Sequence, residues 1–229
     1  MGWKASALLI NPCGEINSEE LLTDLGFAKL TKIKDETFDA AINPSGKKVY
    51  IGKYKDTLII TTANLPTTFL AENTTPTEKL LISKFPDSEI CAIVLHSVVN
   101  LWGYSVIKNG QKIRARAGSA DDGTTLEYGE PLEEEKELLG KSTIGENGAR
   151  TYLLEDFPDE PFTEDQVGEN FVFSISSRYF GEPLDCIDEL LFETVLTGYS
   201  YSKGKLAGST NNGSNPSATR GAKPWWKFW

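Results

Sequence analysis

Leu101-Trp102-Gly103-Tyr104-Ser105-Val106-Ile107-Lys108, then Asn109-Gly110, then Gln111-Lys112-Ile113-Arg114-Ala115-Arg116-Ala117 is the stretch from which the fold is read. Asn-Gly between two β-prone runs marks a two-residue type I′ hairpin, because both central residues of that turn need positive φ. Counting outward pairs Val106 with Ile113, Tyr104 with Ala115 and Trp102 with Ala117 on one face. Ile107 with Lys112, Ser105 with Arg114 and Gly103 with Arg116 fall on the other. The aromatic and aliphatic face is expected to meet the core. Lys112, Arg114 and Arg116 are then expected on a solvated or partner-facing side. The apolar run at Cys91–Val98 precedes this hairpin and extends it to an antiparallel meander.

Working outward, Trp3–Ile10 reads as a first strand, and Lys47–Lys53 with Thr57–Thr62 as a strand pair. Ser18-Glu19-Glu20 starts a short helix with Leu21, Leu22 and Leu25 on its apolar face. Thr75-Pro76-Thr77-Glu78 and Thr163-Glu164-Asp165-Gln166 are capping boxes. The second launches a helix whose Val167, Phe171, Ile175 and Tyr179 recur every four residues, an apolar stripe suited to docking on a sheet. Val195–Tyr201 reads as a final strand. Mostly antiparallel strands with irregularly interspersed helices predict an α+β fold: a sheet built on the central meander, with helices packed on it. Residues 1–201 are expected to be one globular domain, 202–224 a flexible, disordered Gly/Ser/Asn-rich linker, and 225–229 a Trp-rich docking motif.

Charge is divided along the chain. The total is −10, yet residues 1–120 carry a net +2, residues 121–201 a net −17, and residues 202–229 a net +5 with no acid. So acidic a half argues against nucleic-acid binding, which needs a basic surface. The runs at Glu133-Glu134-Glu135 and 156–160 read as solvated faces. Cys13, Cys91 and Cys186 stand far apart, without the spacing of a disulfide framework or a zinc site. A cytoplasmic setting is expected, with no cofactor and no membrane span, since no stretch approaches ~18 apolar residues.

His96 is the only histidine, which restricts catalysis. Within one strand it points opposite to its neighbour Ser97, so a nucleophile–base pair needs a bulge or a strand end at this point. Asp121, Asp122 and Glu130 are the carboxylates that a small hydrolase or transferase would bring to His96, as an orienting group or metal ligand. No phosphate loop, dinucleotide fingerprint or HExxH helix is present. Three of the five tryptophans occupy the last five positions, where Trp225, Trp226, Phe228 and Trp229 follow Pro224. Exposed aromatics need a cover, and tryptophan is enriched in interface hot spots.

Met1, Gly2, Lys4, Leu8 and Leu9, the run His96-Ser97-Val98-Val99, then Gly110, Ile113, Arg114, then Ser119, Asp121, Gly123, and last Gly129-Glu130-Pro131-Leu132 form a further pattern. It resembles a family of uncharacterised bacterial proteins, a domain of unknown function. The resemblance covers roughly residues 91–132, with fainter similarity at the start and around 163–180, and leaves the tail out. Where the family pattern has Asp after His-Ser-Val-Val, this chain has Asn100. The resemblance implies a shared fold and a candidate surface, without a reaction. The reading reached is a non-catalytic binding or adaptor protein that docks a protein partner through its Trp-rich tail. The alternatives are the His96 hydrolase or transferase and an immunity-type protein neutralising a basic toxin.

Overall fold

A computed structural model describes residues 2–204 and 206, apart from 147 and 156. Of the expected linker 202–224, residues 205 and 207–224 lie outside the described residues, as does the docking motif 225–229. The strands in chain order are β1 (Lys4–Asn11), β2 (Phe27–Lys32), β3 (Glu36–Thr37), β4 (Lys48–Tyr54), β5 (Thr57–Thr62), β6 (Glu89–His96) and β7 (Leu101–Lys108). They continue with β8 (Gln111–Ser119), β9 (Gly123–Tyr128), β10 (Ser142–Ile144), β11 (Arg150–Leu154), β12 (Phe157–Thr163) and β13 (Val195–Lys203). The helices are α1 (Ser18–Asp24), α2 (Phe38–Ala41), α3 (Pro76–Lys84), α4 (Glu133–Gly140) and α5 (Glu164–Phe180).

The main sheet runs β2-β13-β4-β5-β1-β6-β7-β8-β9, with β3 also paired to β13. Its neighbours are antiparallel throughout, and a second antiparallel sheet, β10-β11-β12, stands apart. The fold is α+β, as the hairpin and the interspersed helices predict. Helices close both faces of the main sheet. On one, Leu9, Ile59, Ile93, Tyr104 and Val106 pack under α5, α4 and α2, through Phe171, Ile175, Leu138 and Phe38. On the other, Leu8, Ile10, Ile60, Ile90 and Ile107 pack under α1 and α3, through Leu21, Leu22 and Leu81. Period-two alternation along β1 and β6 divides these residues between the faces.

The expected turn is in place, with Asn109 at φ 51 and Gly110 at φ 73. The expected register beyond it is not. Lys108 pairs with Gln111 and Ile107 with Lys112, but the next pair is Val106 with Arg114. Ile113 is an extra residue, a β-bulge, and everything beyond it shifts by one. A one-residue slip exchanges the faces. Tyr104 therefore lies opposite Arg116, and both arginines point under α5, where Arg114 and Arg116 are 1% and 0% exposed. Lys112, on the near side of the bulge, enters the other face and is also buried. The solvated basic face expected from the sequence is thus corrected to two interior sites.

Those interior charges are matched. Arg114 binds Glu135 through Nη2 at 2.8 Å and Nε at 3.0 Å, and donates from Nη1 to the Gly129 carbonyl. Arg116 reaches Glu135 at 3.5 Å and pairs with Glu164, and its guanidinium lies 4.4 Å from the Phe171 ring centroid. Tyr104 Oη donates to the same Glu135 carboxylate at 2.6 Å. Glu135 also accepts from the Leu132 amide at 2.8 Å, so it serves as both helix cap and core counter-charge. The acidic run at 133–135 therefore splits: Glu135 is fully buried, and Glu134 binds Arg178 at 2.7 Å. Only Glu133 remains an exposed face, tied to Lys136. On the opposite face Lys112 pairs with Glu78 at 2.8 Å and donates to the Phe69 carbonyl at 3.0 Å.

Candidate functional site

One end of the main sheet gathers the start of β1, the end of β6, the start of β7 and the end of β8, because Lys4 pairs with His96 and His96 with Leu101. Two turns of the family-like block meet there. β6 ends at His96, and Ser97–Val99 forms one turn of 3-10 helix. Asn100 follows at φ 44, a left-handed conformation that asparagine tolerates. The β8–β9 turn docks on this one through the Ala120 amide, which donates to the Val99 carbonyl.

A strand end does fall between His96 and Ser97, as a Ser–His pair would require. The Ser97 hydroxyl, however, accepts from the Trp3 amide at 2.8 Å and lies against the Glu169 carboxylate. It anchors the first strand and α5 to each other. His96 is half-buried; burial first, and then the charge of Lys4, hold its pKa below the ordinary 6.5. Among the described residues no hydrogen bond or ion pair joins it to a carboxylate, so they do not assemble the base–orienter geometry of a hydrolase at His96. Asp121 and Asp122 are exposed in the β8–β9 turn, where the Asp122 amide donates to Ser119 Oγ at 3.2 Å. Glu130 is exposed beyond the opposite end of β9, about 16 Å along that strand from Gly123. The structure therefore brings His96 and the Asp121–Asp122 turn to one end of the sheet and leaves Glu130 at the other.

Sequence reasoning missed the residues of α5 that line this end. Asn100 donates from Nδ2 to Asp165 at 2.8 Å. A 140 Å³ cleft between the 97–101 turn and α5 is lined by Ser97, Asn100, Trp102, Asp165, Glu169 and Asn170. On the other flank of Asp165 a 400 Å³ cleft is lined by Glu127, Arg150, Thr163 and Glu164, among others. The signal for these lay in the charge division, since an acid-rich second half has to supply partners for a basic strand in the first. Among the described residues no group of three or more His, Cys, Asp or Glu side chains is placed to hold a metal ion. None of their helices is long and apolar enough to cross a membrane.

The largest of these cavities lies on the α1 and α3 face. It is a 630 Å³ groove between the β2–β13 edge and the turn after β5, with Leu25, Phe27, Leu65 and Tyr201 as its apolar lining. Asn64, Thr62, Thr67 and Thr68 add polar atoms, and Lys203, Gly204 and Leu206 complete it.

Residues 15–163 match the model of a family of unknown function, DUF6928, a span that contains the whole 91–132 block. The chain belongs to DUF6928. No curated protein and no solved structure matches it. For this DUF6928 chain the match accounts for the meander, its two turns and α4, and it stops short of α5, β13 and the tail.

Proposed function

We propose that this chain is a binding protein that engages a partner protein through the aromatic segment Trp225-Trp226-Lys227-Phe228-Trp229. The observation that carries this reading is the closure of both sheet faces by residues 2–204, with α5, α4 and α2 on one side and α1 and α3 on the other. Each core is packed from described residues alone. A run rich in Gly, Ser and Asn separates the tail aromatics from β13, and tryptophans so placed have the area and the rigidity of interface anchors. The positions of His96, Asp121, Asp122 and Glu130 weigh in the same direction, because no general-base pair is formed among them.

The test compares the full chain with a full-length variant in which Trp225, Trp226 and Trp229 are all replaced by serine. Proteins captured from lysate by the first and lost by the second are purified and titrated against both by calorimetry. At least one is expected to bind the full chain and to lose about tenfold or more on the variant, as hot-spot truncation does. If every captured protein binds both chains equally, the reading fails.

A further inference from the structure

We propose that the 630 Å³ groove beside the β2–β13 edge is the seat of this chain's own segment 225–229. The docking element would then be held in cis until a partner displaces it. This inference rests on the reading above and adds where the aromatic segment sits when no partner is present.

Three observations select that occupant. The first is where the described chain leaves off: Lys203, Gly204 and Leu206 line the groove themselves, and residues 207–224 follow Leu206 directly in the sequence. Eighteen residues of this Gly/Ser/Asn-rich composition have an end-to-end distance of roughly 23 Å, enough to return the tip to its origin. Tethering at that length gives an effective concentration on the order of millimolar, so even a modest affinity fills the site.

The second is shape and chemistry. The floor is aromatic and aliphatic, with Tyr201 standing edge-on to Phe27 at a centroid separation of 4.6 Å. Its volume lies within the range of pockets that enclose ring-sized ligands. An indole is an apolar body with a single N–H donor and no acceptor. Around the floor, Thr67 Oγ1 donates to the Asn64 carbonyl at 2.7 Å and Thr68 Oγ1 to the Leu65 carbonyl at 2.8 Å. Both hydroxyls keep lone pairs free for an indole N–H, and the Asn64 side-chain oxygen is exposed beside them.

The third is charge. Among the described residues Lys203 is the only charged side chain in the lining, so these residues offer no acid to recruit a basic ligand and no cluster of bases to recruit a phosphate. What they select is neutral aromatic area, and residues 225–229 are the densest such run in the chain.

The experiment uses the full chain labelled with ¹⁵N. The indole N–H signals of Trp225, Trp226 and Trp229 are assigned by single Trp→Phe replacements. At least one terminal signal is expected away from the position of a free indole. It should return to that position in Leu65→Glu, which charges the groove floor, and in Asn64→Phe, which fills the rim from an exposed site. Trp102 is 1% exposed, so its own indole signal reports whether each variant is folded. Terminal signals at the free position in the wild-type chain overturn the proposal. So does a displacement unmoved by both groove variants, which puts the seat elsewhere. A displacement that disappears on dilution also overturns it, by assigning the groove to the segment of a second copy. Partner titration separates the two readings. Groove variants should bind a partner more tightly, by the reciprocal of the free fraction of the segment. If cis docking fails while the triple-serine variant still loses its partners, only this inference falls.

Discussion

The two faces of the main sheet solve the same problem differently. Under α1 and α3 the interior is mainly aliphatic, with Phe27, Phe69 and Tyr199 among it, and the described residues bury one ion pair there, Lys112 with Glu78. Under α5 and α4 it holds two guanidinium groups, the acids Glu135 and Glu164, and the rings of Trp102 and Phe171 in one packed cluster, with Glu127 at its exposed edge. The first arrangement derives its stability from burial of apolar area. The second contributes little net stability, because desolvating the charges offsets their attraction. Its effect is to make the docking of α4 and α5 conditional on a few specific partners. The face that carries the family-like turns is therefore more sensitive to loss of a single atom group than the face that carries the groove.

Removing one carboxylate on each face puts that difference to measurement. Glu135→Ala strands Arg114 and Arg116 without their shared counter-ion, and a loss of about 3–5 kcal/mol is expected in urea unfolding. Glu78→Ala leaves Lys112 the Phe69 and Ala71 carbonyls, so a smaller loss of about 2–3 kcal/mol is expected. Glu133→Ala should fall within about 0.5 kcal/mol of wild type, since its partner Lys136 is exposed too. Equal costs for Glu135 and Glu133 would refute the buried ionic cluster.

Next in size is a packing test on the same face. In α5 the backbone of Gly168 lies on the Trp102 indole, and a Cβ built there would sit 2.1 Å from the ring. Gly168→Ala is expected to cost about 1–3 kcal/mol by overpacking, although alanine ordinarily stabilises a helix interior. Gly140→Ala is the control, with no atom within 4 Å of its Cβ, and should gain up to about 1 kcal/mol. Differential scanning calorimetry of the pair reads the opposed signs. A rise in melting temperature for Gly168→Ala would break the account of how α5 meets the sheet.

The smallest expected effect is the titration of His96. Its folded pKa lies below the ordinary 6.5, so near that pH the unfolded chain binds more protons than the folded one. The associated stability is complete above pH 6.5 and is lost as pH falls through the folded value. His96→Asn should flatten the decline in urea midpoint over that interval without altering it at pH 8. A steeper decline in the variant would mean that a carboxylate faces the imidazole, and would revive the acid–base reading of this turn.

How far the chain disclosed this arrangement in advance can be traced residue by residue. The Asn109-Gly110 turn, the Thr75 capping box and the stripe Val167, Phe171, Ile175 and Tyr179 are local features, fixed by φ preference, a hydrogen bond and helical periodicity. All are present, and the stripe is buried throughout. The bulge at Ile113 is different, because nothing within four residues of it demands an extra residue; the demand comes from Glu135 and Glu164, far along the chain. The β10–β12 sheet was missed for a related reason. Its strand β12, Phe-Pro-Asp-Glu-Pro-Phe-Thr, has two prolines and almost no buried side chain, so it lacks the alternation by which strands are recognised. At the candidate site, His96 and the Asp121–Asp122 turn were visible as residue types. Their separation from a base–carboxylate geometry was not, since it depends on Ser97 being held by Trp3 and Glu169.

The inserted Ile113 also sets a rule for spelling. A DUF6928 chain with one residue fewer between the Asn-Gly turn and the first arginine would send both guanidinium groups through to the opposite side of the sheet. The carboxylate capping α4 would then face an aliphatic surface. Strand length across those few positions, more than the presence of arginine, is what distinguishes an ionic interior from a basic exterior among chains of otherwise similar wording.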